Sequence, residues 1–285
     1  MATTSPPAAQ AGSYRVGDLD LNRIGYGAMQ LAGPASSGRR ATAPPRSRCC
    51  GPRSSWRQPH RHGRRLRSVH HHEIIREALF PYDNVHIVTK VGIIRDEQGG
   101  WLPGNSPQSL REQVHDNLRR LGLDVLDVVN LRTLAGIDDR ATVPGELARQ
   151  FEALAELQQQ GLIRHLGLST VSLDQLAEAQ RIAPVVCVQN FYNIANRADA
   201  AVLAATASQD IAYVPYFPLG GFSPLQSDVL ESVAKRLGAT PIAVAESWLL
   251  QLSPNVMLIP GTSSVGQLRE NIAASALALP PYAVA

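Results

Sequence analysis

Short apolar runs in this chain end repeatedly in side chains that hydrogen-bond or carry a proton. They are Thr89-Lys90, Asn130-Leu131-Arg132, Ser169-Thr170, Gln189-Asn190-Phe191-Tyr192-Asn193, Tyr216 and Pro260-Gly261-Thr262-Ser263-Ser264. Hydroxyls, amides, an ammonium, a guanidinium and aromatic rings at successive run ends are suited to gripping a polar small molecule and moving a proton at it. Each also has a plainer reading when taken alone. Lys90 reads as a surface lysine closing a strand, Arg132 as the partner of a carboxylate such as Asp138, and Tyr216 as a buried core tyrosine.

The elements that must position these groups follow a regular alternation. Candidate strands are Ile24–Met29, His86–Lys90, Val125–Leu131, His165–Ser169, Val185–Asn190, Ile211–Tyr216 and Val256–Pro260. Helical patterns lie between or after them at Glu73–Leu79, Ser109–Leu121, Pro144–Gln160, Ser172–Arg181, Ala198–Ser208, Asp228–Leu237, Pro241–Leu252 and Val265–Leu277. Leu147, Phe151, Leu154 and Leu157 share one helical face. Ser106-Pro107 and Ser172 are helix-start signals, and Gly122 and Gly161 follow two helix ends. Strands alternating with helices imply βα units around a parallel sheet. Seven strands fit either an open doubly wound sheet or an incompletely counted closed barrel. Tyr14–Asn22, with Gly17-Asp18 at its centre, reads as a small hairpin closing the barrel floor.

Composition narrows the setting. With 285 residues, 44% of them apolar, the chain can bury one large core, so residues 1–285 are expected to form one domain. No run of 18 apolar residues and no basic-then-apolar leader is present, which predicts a soluble, cytoplasmic protein without a membrane partner. Cys49, Cys50 and Cys187 give no disulfide framework. The net charge of +3 hides a strong asymmetry. Between Ala35 and His72 lie ten arginines and five of the eight histidines, with no Asp, Glu or Lys, which leaves the rest near −7.

Taken together the motifs resemble the aldo-keto reductase family, in its bacterial branch with a short C-terminal loop. They are Gly25-Tyr26-Gly27-Ala28-Met29, Val88-Thr89-Lys90, Leu121-Gly122-Leu123-Asp124, Gly161-Leu162-Ile163-Arg164, Val188-Gln189-Asn190 with Tyr192-Asn193, and Ile259-Pro260-Gly261-Thr262-Ser263 with Glu270-Asn271. The resemblance covers roughly residues 14–34 and 73–280. It implies a (β/α)8 TIM barrel with an N-terminal β-hairpin, and reduction of aldehydes or ketones by hydride from NADPH. In such enzymes a Tyr is the general acid, tuned by a Lys that an Asp pairs with, and a further residue orients the carbonyl. A phenol near pKa 10 is a poor donor at neutral pH, and a nearby ammonium stabilises the phenolate it leaves. Lys90 matches the lysine, and Arg132 falls where the carbonyl-orienting group is expected. Ser169 and Gln189 match the residues that hold the nicotinamide carboxamide, and Tyr216 the ring stacked upon it. Pro218 and Leu219 match the loop beneath the pyrophosphate. Gly261, Ser263, Ser264, Arg269, Glu270 and Asn271 match the adenosine end, where Arg269 favours NADP.

The resemblance breaks between Ala35 and His72, where the second βα unit should lie and should supply the Asp and the Tyr. The stretch contains neither. Three readings compete. Ten arginines would bind nucleic-acid phosphates, but only Trp56 is available to stack and no motif is present, so no nucleic-acid partner is expected. His60, His62 and His70–His72 with Cys49 and Cys50 lack metal-ligand spacing, so no metal is expected. The third reading is a GC-rich coding stretch translated out of frame, since Arg, Pro, Ser, Gly, His and Cys are enriched and the flanks resume with about the expected number of residues between them. Two functional readings remain. One is a carbonyl reductase. The other is a catalytically impaired nicotinamide-dinucleotide-binding protein without the Tyr and the Asp.

Overall fold

The computed structural model describes residues 7–31, 71–95, 101–133, 145–220 and 227–284. A short 3-10 helix at Pro7–Ala11 leads into the hairpin β1 (Ser13–Val16) and β2 (Leu19–Asn22), paired antiparallel. After helix α1 (His71–Leu79) come β3 (Val88–Arg95), β4 (Trp101–Gly104), α2 (Pro107–Leu121), β5 (Leu126–Arg132) and α3 (Glu146–Gln159). The chain continues through β6 (Ile163–Ser169), α4 (Leu173–Gln180), β7 (Val185–Gln189), α5 (Ala200–Ser208) and β8 (Ala212–Tyr213). It ends with α6 (Asp228–Leu237), α7 (Pro241–Leu252), α8 (Val265–Ala274) and α9 (Pro281–Val284).

Strands β3, β5, β6, β7 and β8 are parallel neighbours in that order, each followed by a helix that packs on the outside. Two further segments continue the wall through isolated parallel bridges, Tyr213 to Val256, Ile24 to Leu258 and Gly27 to Gly261. Their backbone hydrogen bonds run from Met257 N to Tyr213 O at 2.9 Å and from Gly25 N to Leu258 O at 2.7 Å. The architecture is the (β/α)8 barrel with its N-terminal hairpin. Seven wall segments lie among the described residues; the stretch expected to supply the second, with His60, His62, Cys49 and Cys50, lies outside them.

The helices form where the sequence signals them. Ser106 and Ser172 cap α2 and α4 by accepting from Ser109 N and Gln175 N, with a full capping box at Ser172. Gly122, at φ 71, ends α2 in the left-handed conformation that favours glycine. Leu147, Phe151, Leu154 and Leu157 are each no more than 2% exposed on the inner face of α3. One element was not legible in advance. The third strand does not stop at Lys90 but runs on to Arg95 and pairs antiparallel with β4, Ile94 opposite Leu102.

Inside the barrel a second apolar cluster joins the hairpin residues Val16 and Leu19 to Val128, Cys187, Ala212, Val214 and Met257. The hairpin therefore plugs one end of the barrel. Gly17 lies against the His165 ring, and Asp18 accepts from the His165 ring and, at 2.5 Å, from Arg164. The reactive groups must gather at the opposite end. No helix among the described residues is long and apolar enough to cross a membrane.

Candidate active site

The strand register stacks the interior in layers. Lys90 on β3 faces Asn130 on β5, which faces Gly167 on β6, then Cys187 on β7 and Ala212 on β8. One step toward the C-terminal ends, Arg132 faces Ser169, and Ser169 faces Gln189. Period-two alternation of a strand puts Lys90, Asn130, Arg132, Ser169 and Gln189 on one inner surface. Gly167 is required at its place: a Cβ there would sit 1.9 Å from Asn130 Oδ1.

Lys90 is partly accessible but lies among densely packed atoms. Burial, reinforced by the Arg132 guanidinium, pushes its ammonium down to about 7. Among the described residues no carboxylate pairs with it. Burial also pushes the Cys187 thiol up to about 12, so this cysteine stays protonated at neutral pH.

The loop after β6 is held by several elements at once. Thr170 has φ 63, unusual for a β-branched residue. Its N–H donates to Gln189 O at 3.0 Å, its carbonyl accepts from the Thr133 hydroxyl, and Val171 N donates to Asn190 Oδ1 at 3.0 Å. Strain of this kind persists where surrounding structure imposes it and clusters at functional sites. Tyr216 follows β8, with its hydroxyl 3.4 Å from Thr170 Oγ1 and its ring stacked on Phe191 at 5.8 Å. Phe217, at φ 55, accepts from Asn193 Nδ2 at 3.1 Å and from Gly220 N at 3.0 Å, turning the buried Pro218 and half-buried Leu219 along the barrel end.

Gly261 pairs with Gly27 at the next wall segment. Thr262 fixes the entry to α8 by accepting from Ser264 N at 3.0 Å, donating to Gln267 Oε1 at 2.9 Å and receiving the Tyr26 hydroxyl on its carbonyl. Sequence reasoning singled out neither Thr262 nor Gln267 individually; a hydroxyl five residues before an amide at a helix start was the available signal. Ser264 caps α8 through Gln267 N. Ser263, Arg269 and Glu270 are exposed, whereas Asn271 is buried in α8.

The predicted site residues thus occupy successive wall segments and form one arc around the barrel end, from Arg132 through Ser169, Gln189 and Tyr216 to Gly261 and α8. The arc carries buried polar atoms without a partner among the described residues, Ser169 Oγ and both side-chain polar atoms of Asn271, while the buried amides of Asn130 and Gln189 have the Cys187 thiol beside them. Buried groups of this kind need an explanation, and a ligand rich in polar atoms along this arc supplies it. A nicotinamide dinucleotide is a ligand these residues could hold: Ser169 and Gln189 would face its carboxamide, Asn271 its adenosine end, and the amides at the start of α8 its phosphates. A separate recess of about 490 Å³ outside the barrel is lined by Glu73, Arg76, Glu77, Phe80, Arg119 and Arg120. There Arg120 pairs with Glu73 at 2.7 Å, and the recess is a salt-bridged seam between α1 and α2.

The Aldo/keto reductase family profile matches residues 69–285, leaving the arginine-rich stretch almost wholly outside the match. The chain is 52% identical over 283 residues to pyridoxine 4-dehydrogenase of Escherichia coli strain K12, covering 94% of each sequence. It is 35% identical to an uncharacterized oxidoreductase of Schizosaccharomyces pombe, covering 98% of this chain and 89% of that one. Among solved structures, the glycerol dehydrogenase of Gluconobacter oxydans superposes with a TM-score of 0.72 at 19% identity over 96% of this chain and 93% of that chain, a likeness of fold. A profile match over most of the chain, and a relative identical at half the positions, make this protein a member of the aldo/keto reductase family of oxidoreductases.

Proposed function

We propose that this protein reduces an aldehyde to an alcohol with NADPH as cofactor, and that its substrate is a small ring-borne aldehyde of the pyridoxal class. The observation that carries the reading is the register Arg132–Ser169–Gln189 one layer above Lys90. Bound nicotinamide supplies the hydride. Ser169 and Gln189 would hold the carboxamide, Ser169 through a buried hydroxyl that has no partner among the described residues. Tyr216 provides a flat apolar face beside them. Arg132 donates to the carbonyl oxygen and stabilises the negative charge that develops there.

The proton comes from Lys90. The segment between residues 35 and 72 offers no Tyr and no Asp, and among the described residues of the inner surface Lys90 is the cationic acid that lies one layer below Arg132 and Ser169. A group near pKa 7 is well matched to proton transfer at neutral pH. Arg269 at the second turn of α8 supports NADPH over NADH, since it supplies a cation beside the adenosine end. The pyridoxal-class substrate rests on the identity to the Escherichia coli relative named for pyridoxine oxidation.

Consumption of NADPH with pyridoxal, compared with benzaldehyde and with NADH, tests the reading. Turnover that is fastest with NADPH and pyridoxal is the expected result. Binding of NADPH without consumption supports instead a dinucleotide-binding protein that lacks turnover, a reading favoured by the missing Tyr and Asp. Peptide mass mapping across residues 30–75 of the protein from its host separates the causes: peptides of another frame, carrying an Asp and a Tyr, would restore the ordinary acid.

A further inference from the structure

We propose that Asp199 is a positioning residue for the nicotinamide site: through the Asn190 amide it sets the turn after Ser169, and with it the spacing between Ser169 and Gln189. The proposal rests on the dinucleotide reading above. Ser169 and Gln189 face each other at the last step of the β6–β7 ladder. Thr170 N still donates to Gln189 O at 3.0 Å, and the chain then turns at Thr170, whose φ is 63. Beyond the turn the Asn190 side chain replaces a strand partner. Its Oδ1 accepts from Val171 N at 3.0 Å and its Nδ2 donates to Val171 O at 2.7 Å, so one amide holds both backbone groups of Val171.

An amide can do this in one orientation only, and Asp199 fixes which. Flipped end for end, Asn190 would set donor against donor at Val171 N and acceptor against acceptor at Val171 O. The buried Asp199 takes the second Nδ2 hydrogen on Oδ2 at 2.8 Å. A carboxylate only accepts, so it admits the nitrogen and leaves Oδ1 for Val171 N. The placement of this aspartate is telling. Asp199 stands at the N-cap of α5, where an Asp ordinarily accepts from the amides of its own helix, yet its side chain makes no capping bond. The carboxylate is turned instead to Asn190 and to the Tyr213 hydroxyl, which donates to it at 2.6 Å.

These bonds lie behind the site. Side chains alternate along a strand, so Gln189 points to the inner surface and Asn190, the next residue, points away from it. Asp199 therefore acts on a bound nicotinamide through the backbone of Val171 and Thr170, without touching it. The same turn is held from its other side, where Thr133 N donates to Ser169 O at 3.1 Å and the Thr133 hydroxyl donates to Thr170 O. The strained turn is thus gripped from the ends of β5 and β7, and Asp199 is the outer link of the grip from β7.

The test is a double-variant cycle on the full chain, with the NADPH dissociation constant read by fluorescence titration and folding by circular dichroism. Ser169→Ala and Asp199→Ala are each expected to raise the constant about tenfold, and together by about tenfold to thirtyfold, short of the roughly hundredfold that independent effects would give. Tyr213→Phe removes a bond from the same carboxylate but leaves the Asn190 arm intact, so it should lower the unfolding midpoint and keep the constant within about twofold. Asp199→Ala and Tyr213→Phe moving the constant alike, or Ser169 and Asp199 effects that multiply in full, overturns the proposal. Where Asp199→Ala does not fold, Asp199→Asn, which keeps an acceptor oxygen, enters the cycle instead, with an expected effect of about threefold and the same coupling. An unchanged constant in Ser169→Ala sinks the carboxamide reading and this proposal with it. A constant raised by Ser169→Ala and untouched by the Asp199 variant sinks the proposal alone.

Discussion

The Asn190 amide donates to the Asp199 carboxylate at 2.8 Å, and the same carboxylate oxygen accepts from the Tyr213 hydroxyl at 2.6 Å, all within the buried wall of the barrel. Asn190 also donates to Val171 O at 2.7 Å and accepts from Val171 N. One carboxylate thus ties the end of β7, β8 and the start of α5 to the loop of Thr170 and Val171 that follows Ser169. Asp199→Ala strands two buried donors and should cost about 3–5 kcal/mol in urea unfolding, each bond to a charged group contributing about 1.5–3. Tyr213→Phe removes one donor and should cost about half as much. Equal, small losses for both variants would refute the shared-acceptor arrangement.

Ser169→Ala should separate stability from binding. Its hydroxyl oxygen is buried without a partner in the chain, so its removal should leave the unfolding midpoint within the range of an ordinary neutral change. Loss of one hydrogen bond to the carboxamide should raise the NADPH dissociation constant about tenfold, read by fluorescence titration. An unchanged dissociation constant would place the nicotinamide elsewhere.

Glu246 is fully buried in α7, neither carboxylate oxygen has a partner, and burial pushes its pKa up to about 8. Its folded pKa exceeds its unfolded one, so the folded state favours the protonated form. The resulting penalty is absent below about pH 4, grows as pH rises, and levels off above about pH 8. Glu246→Met should therefore stabilise the protein, by on the order of 3 kcal/mol at pH 8 and much less at pH 5. A pH-independent effect in denaturant titrations would contradict this assignment.

Lys90 has the opposite sign. Its pKa is depressed to about 7 in the folded state, so the unfolded chain binds the extra proton between about pH 7 and pH 10. The stability penalty of Lys90 is complete below pH 7 and is relieved as pH rises through that window. Lys90→Met should accordingly be more stable than the natural chain at pH 6, with the advantage shrinking by pH 10, and should lose turnover. In the natural enzyme kcat should fall as pH passes about 7, because the donor is then deprotonated; a profile flat from pH 6 to 9 would remove Lys90 from the proton transfer.

Much of this arrangement was legible in the sequence because its signals are local. Ser106, Ser172 and Gly122 mark helix ends within three or four residues of the bonds they make, and the apolar face of α3 repeats with the helical period. The polar ends of the apolar runs identified Lys90, Arg132, Ser169 and Gln189 in the order in which the register aligns them. The features that escaped were non-local or contrary to residue type. The Asp199 cluster joins side chains from three elements whose meeting depends on barrel closure. Glu246 has a charged side chain at a fully buried helical position, where pattern alone predicts exposure. The β3–β4 ribbon was hidden because Lys90 looked like a strand end, although Ile93-Ile94 and Trp101-Leu102 around Gly99-Gly100 already carried a hairpin pattern. The end of β5 opposite Gly92 explains why the strand changes partner there: the wall pairing stops at Val91 and Leu131.

That change of partner divides one strand between two tasks. Up to Val91 it belongs to the wall and fixes Lys90; from Gly92 onward it pairs, among the described residues, with β4 and is anchored to α2, where Gln113 accepts from Gly92 N at 3.0 Å and donates to Gly104 O at 2.6 Å. Insertions and deletions beyond that anchor alter the rim without shifting the barrel's register. The ribbon is therefore held independently of the wall, so its length and side chains can vary while the layer that carries Lys90 keeps its place.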